Sequence, residues 1–174
     1  MRKNAVSILA FGLFLMSHPL FTDAAENRIP FHGLKEVAVF VENIDPEAIK
    51  DGLNKEQIKT DVELRLREAG IKVVPVEKCL NLPTSPYLYV IVNTVKFVSG
   101  LEYVYGTSVQ LKQVVVLKRK KPAKLPTAYL WATTWEKSDG VGITWVEDLV
   151  GNVREHINDK VDAFISDYLA ENPK

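Results

Sequence analysis

An apolar stripe near the carboxyl terminus constrains the fold most strongly. Apolar residues recur there at intervals of three and four over about six helical turns, while the opposite positions are acidic. The pattern predicts an amphipathic helix that must lie on an apolar surface elsewhere in the chain. The apolar residues are Val146, Val150, Val153, Ile157, Val161, Phe164 and Tyr168, and the acidic ones are Asp148, Glu155, Asp159 and Asp162.

The start of this helix has a capping signature. Thr144 and Glu147 have the spacing of a capping box. In this motif, the side chain of each residue accepts a hydrogen bond from the backbone N–H of the other. Gly151 lies inside the pattern and would cost about 1 kcal/mol relative to alanine. We therefore predict that Gly151 makes a close packing contact with the sheet.

The remaining chain predicts five strands and one more helix. Strands are expected at 36–42, 71–74, 87–98, 103–117 and 127–136, from alternating or continuous apolar runs bounded by turn residues. A helix is expected between Asn54, capped with Gln57, and Gly70. On its exposed face, the pairs predicted four residues apart are Asp61 with Arg65 and Glu63 with Arg67.

These elements together indicate the fold class. The order β-α-β-β-β-β-α predicts an α+β domain with a mostly antiparallel sheet and both helices packed on one face. The opening strand 37–41, the helix end 66–70 and the strand 71–74 resemble the small exported amino-terminal domain of the translocation protein TolB. The resemblance implies the topology, and no functional residue is carried over from it.

The amino terminus reads as a secretory signal peptide. Arg2 and Lys3 precede an apolar stretch at 5–16, which is shorter than the roughly 20 residues of a membrane-spanning helix. Cleavage is predicted near Ala24, without a nearby cysteine to accept lipid. We expect a signal peptide at 1–24, a flexible segment at 25–33 and a single domain at 34–171, located in the periplasm or secreted.

Charge and cysteine content limit the classes of partner that the chain can bind. Removal of 1–24 leaves 20 basic and 21 acidic residues, a net charge of −1, which disfavours nucleic acid. No later apolar stretch has membrane-spanning length. Cys79 is the single cysteine and cannot form an internal disulfide, so it is a packed apolar residue, an intermolecular disulfide partner or a reactive thiol.

One segment concentrates positive charge at a predicted hairpin end. It is either a solvated turn that discourages edge pairing or a contact surface for an acidic protein, an envelope polymer or anionic lipid. Its residues are Lys118, Arg119, Lys120, Lys121 and Lys124.

Two further patterns suggest ligand contacts. Gly140, Gly142 and Thr144 run towards the closing helix, where backbone N–H groups could hold an anion, although a simple turn explains them as well. Aromatic residues could line a pocket between the meander and the closing helix, or form ordinary core packing. They are Trp131, Trp135, Trp145, Tyr103 and Tyr105, with Trp131 and Trp135 predicted on one strand face.

Motifs for catalysis are not found in the sequence. His156 has no histidine or cysteine at helical spacing to complete a metal pair, and there is no G-x-S-x-G element. We predict no enzyme activity, metal or cofactor. The leading hypothesis is an exported binding or assembly domain, the alternative is a carrier of a small apolar ligand, and a hydrolase comes third.

Overall fold

A computed structural model describes residues 29–81, 85–116 and 129–173. The predicted signal peptide at 1–24 and the basic segment at 118–124 lie outside the described residues. None of the described helices is long and apolar enough to cross a membrane.

The described chain forms one six-stranded sheet. Four helices and two 3-10 turns accompany it, the turns being Ile29–Phe31 and Val146–Asp148. The strands are β1 (Glu36–Val41), β2 (Lys72–Val73), β3 (Tyr87–Lys96), β4 (Glu102–Val116), β5 (Tyr129–Ser138) and β6 (Gly142–Trp145). The helices are α1 (Pro46–Lys50), α2 (Lys55–Glu68), α3 (Val76–Asn81) and α4 (Leu149–Glu171).

The sheet order confirms the predicted class. The strands run β2-β1-β3-β4-β5, and β6 pairs with the part of β4 that β5 leaves free. β1 is parallel to both β2 and β3, whereas the pairs β3–β4, β4–β5 and β4–β6 are antiparallel. The fold is therefore α+β with a mostly antiparallel sheet.

The helices α2 and α4 cover one face of this sheet. The odd residues of β1 and β4 and the even residues of β3 point towards them and form one apolar core with both helices. Ile58, Val62 and Leu66 of α2 are buried there, as the helical spacing predicts. The predicted stripe of α4 is confirmed: Val153, Ile157, Val161 and Phe164 are buried, and Val146, Val150 and Tyr168 pack partly buried against the core. Leu149, which the stripe did not include, is buried as well.

The ends of α2 follow the sequence signals. The Asn54 side chain accepts hydrogen bonds from the N–H groups of Glu56 and Gln57, at 2.9 and 3.2 Å. Gly70 ends the helix with a φ of 84°, a conformation that glycine adopts without steric cost. Both ends were therefore readable from the sequence.

Ion pairs join α2 to α4. Arg67 pairs with Glu63 at 2.7 Å as predicted. Arg65, however, binds Asp162 at 2.8 Å, and Asp61 binds Arg154 at 2.7 Å, instead of each other. This edge of α2 faces the neighbouring helix, so the two charges find partners across the helix pair.

The predicted capping box at Thr144 and Glu147 is wrong. Thr144 lies in β6 and pairs with Tyr103, and α4 begins only at Leu149, after a 3-10 turn without a side-chain cap. The short apolar strand that precedes the helix competes with the capping pattern and wins because it completes the free edge of β4. Gly151 is exposed with no atom within 4 Å of an added Cβ, so the predicted packing contact is also wrong.

Two further differences concern short elements. Residues 76–81, expected to be in a loop region, form α3, which packs Val76 on Ala38 and Tyr87 on the sheet face opposite α2 and α4. Phe31, placed by the sequence in a flexible segment, is fully buried against Trp135 and Phe164. An isolated aromatic residue carries no periodic signal, so its burial could not be read in advance.

Candidate binding surface

Four aromatic side chains line up across the sheet face that α2 and α4 leave open. Phe40 of β1 stacks on Tyr89 of β3, with ring centroids 5.4 Å apart and planes 12° apart. Tyr89 meets Tyr87 edge-on at 6.4 Å, and Tyr87 meets Trp131 of β5 at 5.2 Å. We call these four residues the aromatic row. It spans the sheet from β1 to β5, and Phe40 and Trp131 are exposed.

A β-bulge places Trp131 in this row. Leu111 pairs with Trp135 but Lys112 pairs with Thr133, so β5 has one extra residue at this point. The extra residue reverses the side-chain alternation along β5. Trp135 consequently faces the helices, whereas Trp131 faces the open side, contrary to the prediction that both share one face.

Polar groups border the aromatic row. The Lys55 Nζ atom lies 5.3 Å from the Phe40 ring centroid and donates to Asn43 at 3.1 Å. The Lys112 Nζ atom lies 5.6 Å from the Tyr89 centroid and donates to Thr133 at 2.6 Å. Among the described residues, neither lysine is in an ion pair. The row therefore combines ring faces with two ammonium groups whose charge is not neutralised there.

The Tyr89 hydroxyl is part of the same border. Burial raises the pKa of Tyr89, and its hydrogen bond to the Glu42 carboxylate raises that pKa further. Tyr89 thus stays protonated throughout the physiological range. It presents a neutral ring with a protonated hydroxyl close to Glu42.

The five residues predicted to line a pocket are not brought together. Tyr103, Tyr105 and Trp135 are buried on the helix side, while Trp131 and Trp145 are exposed on the open side. Trp135 packs edge-on against Phe31 and Phe164 at 6.0 and 5.4 Å and donates its indole N–H to Asp167 at 2.9 Å. These contacts pack Trp135 into the helix-side core, and a cleft of about 340 Å³ remains beside it, lined by Ala163, Ser166 and Asp167 of α4.

Tyr103 is tied to the connection between α1 and α2 by a polar contact. Its hydroxyl donates to the Asp51 carboxylate at 2.7 Å, and Lys96 donates to the same oxygen at 2.6 Å. Burial and then this hydrogen bond raise the pKa of Tyr103, while the Lys96 and Tyr103 hydrogen bonds lower the pKa of Asp51. The contact holds the α1–α2 region on the sheet, and this gives the Tyr103 side chain a structural role.

The residues of the predicted anion loop do not form one site. Gly140 is exposed, Gly142 and Thr144 belong to β6, and β6 and a 3-10 turn separate the loop from the start of α4. A Cβ on Gly142 would lie 2.7 Å from Cζ of Tyr105, so glycine is needed there to admit the tyrosine ring. Asn152 donates to the Thr144 hydroxyl at 2.7 Å. Gly142 thus serves packing, Gly140 has no such contact, and α4 does not begin at this loop.

A buried lysine that the sequence reading missed holds this loop. Lys160 is only 1% exposed; its ammonium group binds the Asp139 carboxylate and donates to the His156 carbonyl at 2.9 Å. The Lys160 hydrogen bond lowers the pKa of Asp139. The His156 ring lies 5.3 Å from Tyr105 by centroids. A signal existed, because Lys160 stands three residues after Ile157 and four before Phe164, within the apolar stripe.

One open cleft lies at the beginning of β1. It has a volume of about 520 Å³ and a polar lining that includes His32, Lys35 and Gln113. Glu36 on its wall pairs with Lys72 at 2.8 Å and with Lys78, and these two hydrogen bonds lower its pKa. Within the described ranges, no three His, Cys, Asp or Glu side chains are grouped to hold a metal ion.

Comparisons with known proteins give little further information. No protein-family model matches the chain, and no curated protein matches its sequence. Among solved structures, a PelC dodecamer from Paraburkholderia phytofirmans is similar, with 18% identity, a TM-score of 0.39, and coverage of 73% of this chain and 86% of that one. This likeness is too distant to carry an argument about function, and the TolB resemblance stays a prediction.

Proposed function

We propose that this chain is an exported, non-catalytic domain that binds an acidic glycan of the cell envelope along its aromatic row. The observation that carries the proposal is the continuous series of ring contacts from Phe40 to Trp131 on a face that no described helix other than α3 covers. Aromatic residues on a surface provide apolar area at low entropic cost. An extended ligand is favoured because the row extends across the strands.

The chemistry of a sugar ring suits this surface. Its C–H groups form a flat apolar face that can lie on an aromatic ring, while its hydroxyl groups need polar partners at the border. Gln110 and Thr133 lie on the same face, where Gln110 donates to Glu136 at 3.0 Å and Thr133 accepts from Lys112 at 2.6 Å. Ring faces and hydrogen-bonding groups therefore share this face of the sheet.

Charge supports an acidic ligand. Lys55 and Lys112 border the row without a described carboxylate partner. The basic segment, Lys118–Lys124 in sequence, connects Val116 to Tyr129, which are paired across β4 and β5, and Trp131 follows two residues later. A glycan that carries carboxylates would thus meet the positive charge of Lys55 and Lys112 along the row.

Affinity electrophoresis tests the proposal. Gels containing polygalacturonate, alginate or polysaccharide extracted from the host envelope should retard the protein, and hydroxyethyl cellulose should retard it less. Trp131→Ala is expected to weaken binding about tenfold, as is typical for removal of a central aromatic contact. Leu130→Ala is the matched control, because Leu130 and Trp131 are both 44% exposed but lie on opposite faces of β5.

The outcomes separate the components of the proposal. Lys55→Gln with Lys112→Gln should remove the preference for acidic over neutral polymer while leaving the fold intact. If no polymer retards the wild-type protein, or if Leu130→Ala and Trp131→Ala weaken binding equally, glycan binding by the row is refuted. Export is tested separately: amino-terminal sequencing of protein recovered outside the cytoplasm should show cleavage after Ala24 or Ala25.

A further inference from the structure

The turn between β3 and β4 exposes an uncharged apolar end. The segment Phe97-Val98-Ser99-Gly100-Leu101 has no ionisable residue, and Val98 is 107% exposed, so no described residue shelters it. Phe97 and Leu101 are exposed as well. Exposed apolar residues are ordinary when single, whereas a contiguous group indicates a contact surface.

Residues of the neighbouring strands extend the apolar surface of this turn. Val95 pairs with Val104, and β6 brings Ile143 opposite Val104 and Trp145 opposite Glu102. Val95, Ile143 and Trp145 are all exposed on the open face. We call Val95, Phe97, Val98, Leu101, Ile143 and Trp145 the apolar tip.

Part of the turn's backbone is hydrogen-bonded within the chain. The N–H of Phe97 donates to Glu102 at 2.9 Å and that of Gly100 to Phe97 at 2.8 Å, while the Leu101 carbonyl accepts from Val146 at 3.0 Å. The Leu101 N–H reaches the Ser99 hydroxyl at 3.4 Å. Lys96, the nearest cation, is bound to Asp51 at 2.6 Å. This pairing lowers the cost of moving the base of the turn out of water, whereas the N–H groups of Val98 and Ser99 have no partner among the described residues and would be met by lipid headgroups or interfacial water.

These features favour a lipid bilayer over a protein as the occupant. A protein interface carries roughly one hydrogen bond per 100–200 Å², yet the turn offers one polar side chain, Ser99, and no charged one. Hydrocarbon needs only apolar contact, which the turn provides. Trp145 lies at the base of the tip, where an indole ring would reach the level of the lipid headgroups.

We propose that the apolar tip inserts into the outer part of a lipid bilayer and holds the domain at a membrane surface. This surface is separate from the aromatic row, since Tyr87 and Val95 are eight residues apart on β3, about 26 Å along the strand. A membrane at the tip therefore leaves the row free. The inference does not depend on what the row binds.

Vesicle flotation tests the insertion. The protein recovered from cells that express the full chain is mixed with vesicles of phosphatidylcholine alone or of phosphatidylethanolamine and phosphatidylglycerol. Both should carry it upward, and concentrated NaCl should not release it. Leu101→Asp should lower the partition coefficient about tenfold or more, because a carboxylate must enter the acyl region. Leu64→Asp on α2 is the control, with the same substitution at a leucine that is 52% exposed.

Brominated lipids give a second readout that does not depend on Leu101. Trp145 fluorescence should be quenched on vesicles brominated near the headgroups, and Trp145→Phe should remove most of that quenching. Equal flotation of Leu101→Asp and Leu64→Asp would overturn the proposal. So would flotation that needs phosphatidylglycerol and disappears in concentrated salt, which would assign membrane contact to the basic segment Lys118–Lys124 instead.

Discussion

Trp135 and Trp131 lie four residues apart on β5 and have opposite surroundings. Trp135 is buried on the helix side against Phe31 and Phe164, while Trp131 is exposed on the open side against Tyr87. Both faces of the sheet are rich in aromatic residues, so composition does not distinguish them. The difference is that α2 and α4 cover one face, whereas α3 is the only described helix on the other.

We expect the largest difference between the two faces in the stability that is lost when an aromatic side chain is removed. Phe164→Ala empties a fully buried site between Phe31 and Trp135, so it should lower the free energy of unfolding by about 3–5 kcal/mol. Trp131→Ala should cost about 1 kcal/mol, because its ring is partly solvated before the change. Urea melts followed by far-ultraviolet circular dichroism measure both. Equal losses would show that the aromatic row is an internal packing surface.

A smaller loss of stability is expected at Gly142, which packs closely against a residue of the helix-side core. Gly142→Ala places a Cβ 2.7 Å from the buried Tyr105 ring, which must shift, so we expect a cost of about 1–3 kcal/mol. Gly140→Ala is the control, because nothing lies within 4 Å of its added Cβ. Differential scanning calorimetry compares the two melting temperatures. A Gly142→Ala protein as stable as Gly140→Ala would contradict the tight contact.

The buried Lys160 makes the helix side sensitive to acid. The pKa of Asp139 lies below its ordinary value of 3.8 because Lys160 binds its carboxylate. A lowered carboxyl pKa adds stability that is present above the ordinary value and is lost as pH falls through the folded value. Asp51 and Glu36 follow the same rule. Stability should therefore fall as the pH drops below about 4.

The Asp139→Asn variant isolates this contribution. At neutral pH it should cost about 1–2 kcal/mol, less than a fully buried pair because Asp139 is half exposed. Its stability should also decline less steeply in acid than that of the wild type. Lys160→Met removes the cation as well as the need for its partner, so it should be less harmful than Asp139→Asn. The reverse order in urea melts at neutral pH would refute this role.

The smallest expected effect concerns the ion pairs between α2 and α4. A double-mutant cycle on Asp61 and Arg154, each changed to Ala, should give a coupling of about 0.2–1 kcal/mol, typical of partly exposed pairs. Helices α2 and α4 would then be held on the sheet mainly by apolar packing. A coupling energy as large as the stability lost in Phe164→Ala would show instead that ion pairs hold the two helices in place.

Periodic features of the fold were readable from the sequence. The α4 stripe and the alternating residues of β4 each repeat a simple spacing over many residues, so the pattern survives individual exceptions. The Asn54 cap is a local signature of suitable residue types at a fixed spacing. Together these features specify an α+β sheet with a covered face. Short elements were not readable in this way: β6 replaced the expected capping box, and α3 formed where a loop region was expected.

The candidate surface depended on a feature that the sequence does not display. One extra residue opposite Leu111 and Lys112 moves Trp131 to the open face, and no turn residue marks that bulge. The sequence grouped Trp131 with Trp135 for this reason. Tyr87, Tyr89 and Phe40 were assigned to strands, but their ring contacts depend on which strands are neighbours, and this follows only from the sheet order.

The three tryptophans provide the most direct test of the central claim. One lies in the helix-side core, one in the aromatic row and one at the apolar tip, so their indole N–H signals in ¹⁵N–¹H spectra report separately on three places. Addition of galacturonate oligosaccharides should shift the Trp131 signal and leave those of Trp135 and Trp145 in place, with assignments from single Trp→Phe variants. A shift of Trp135 with Trp131 unchanged would contradict the account and place the ligand between the sheet and α4.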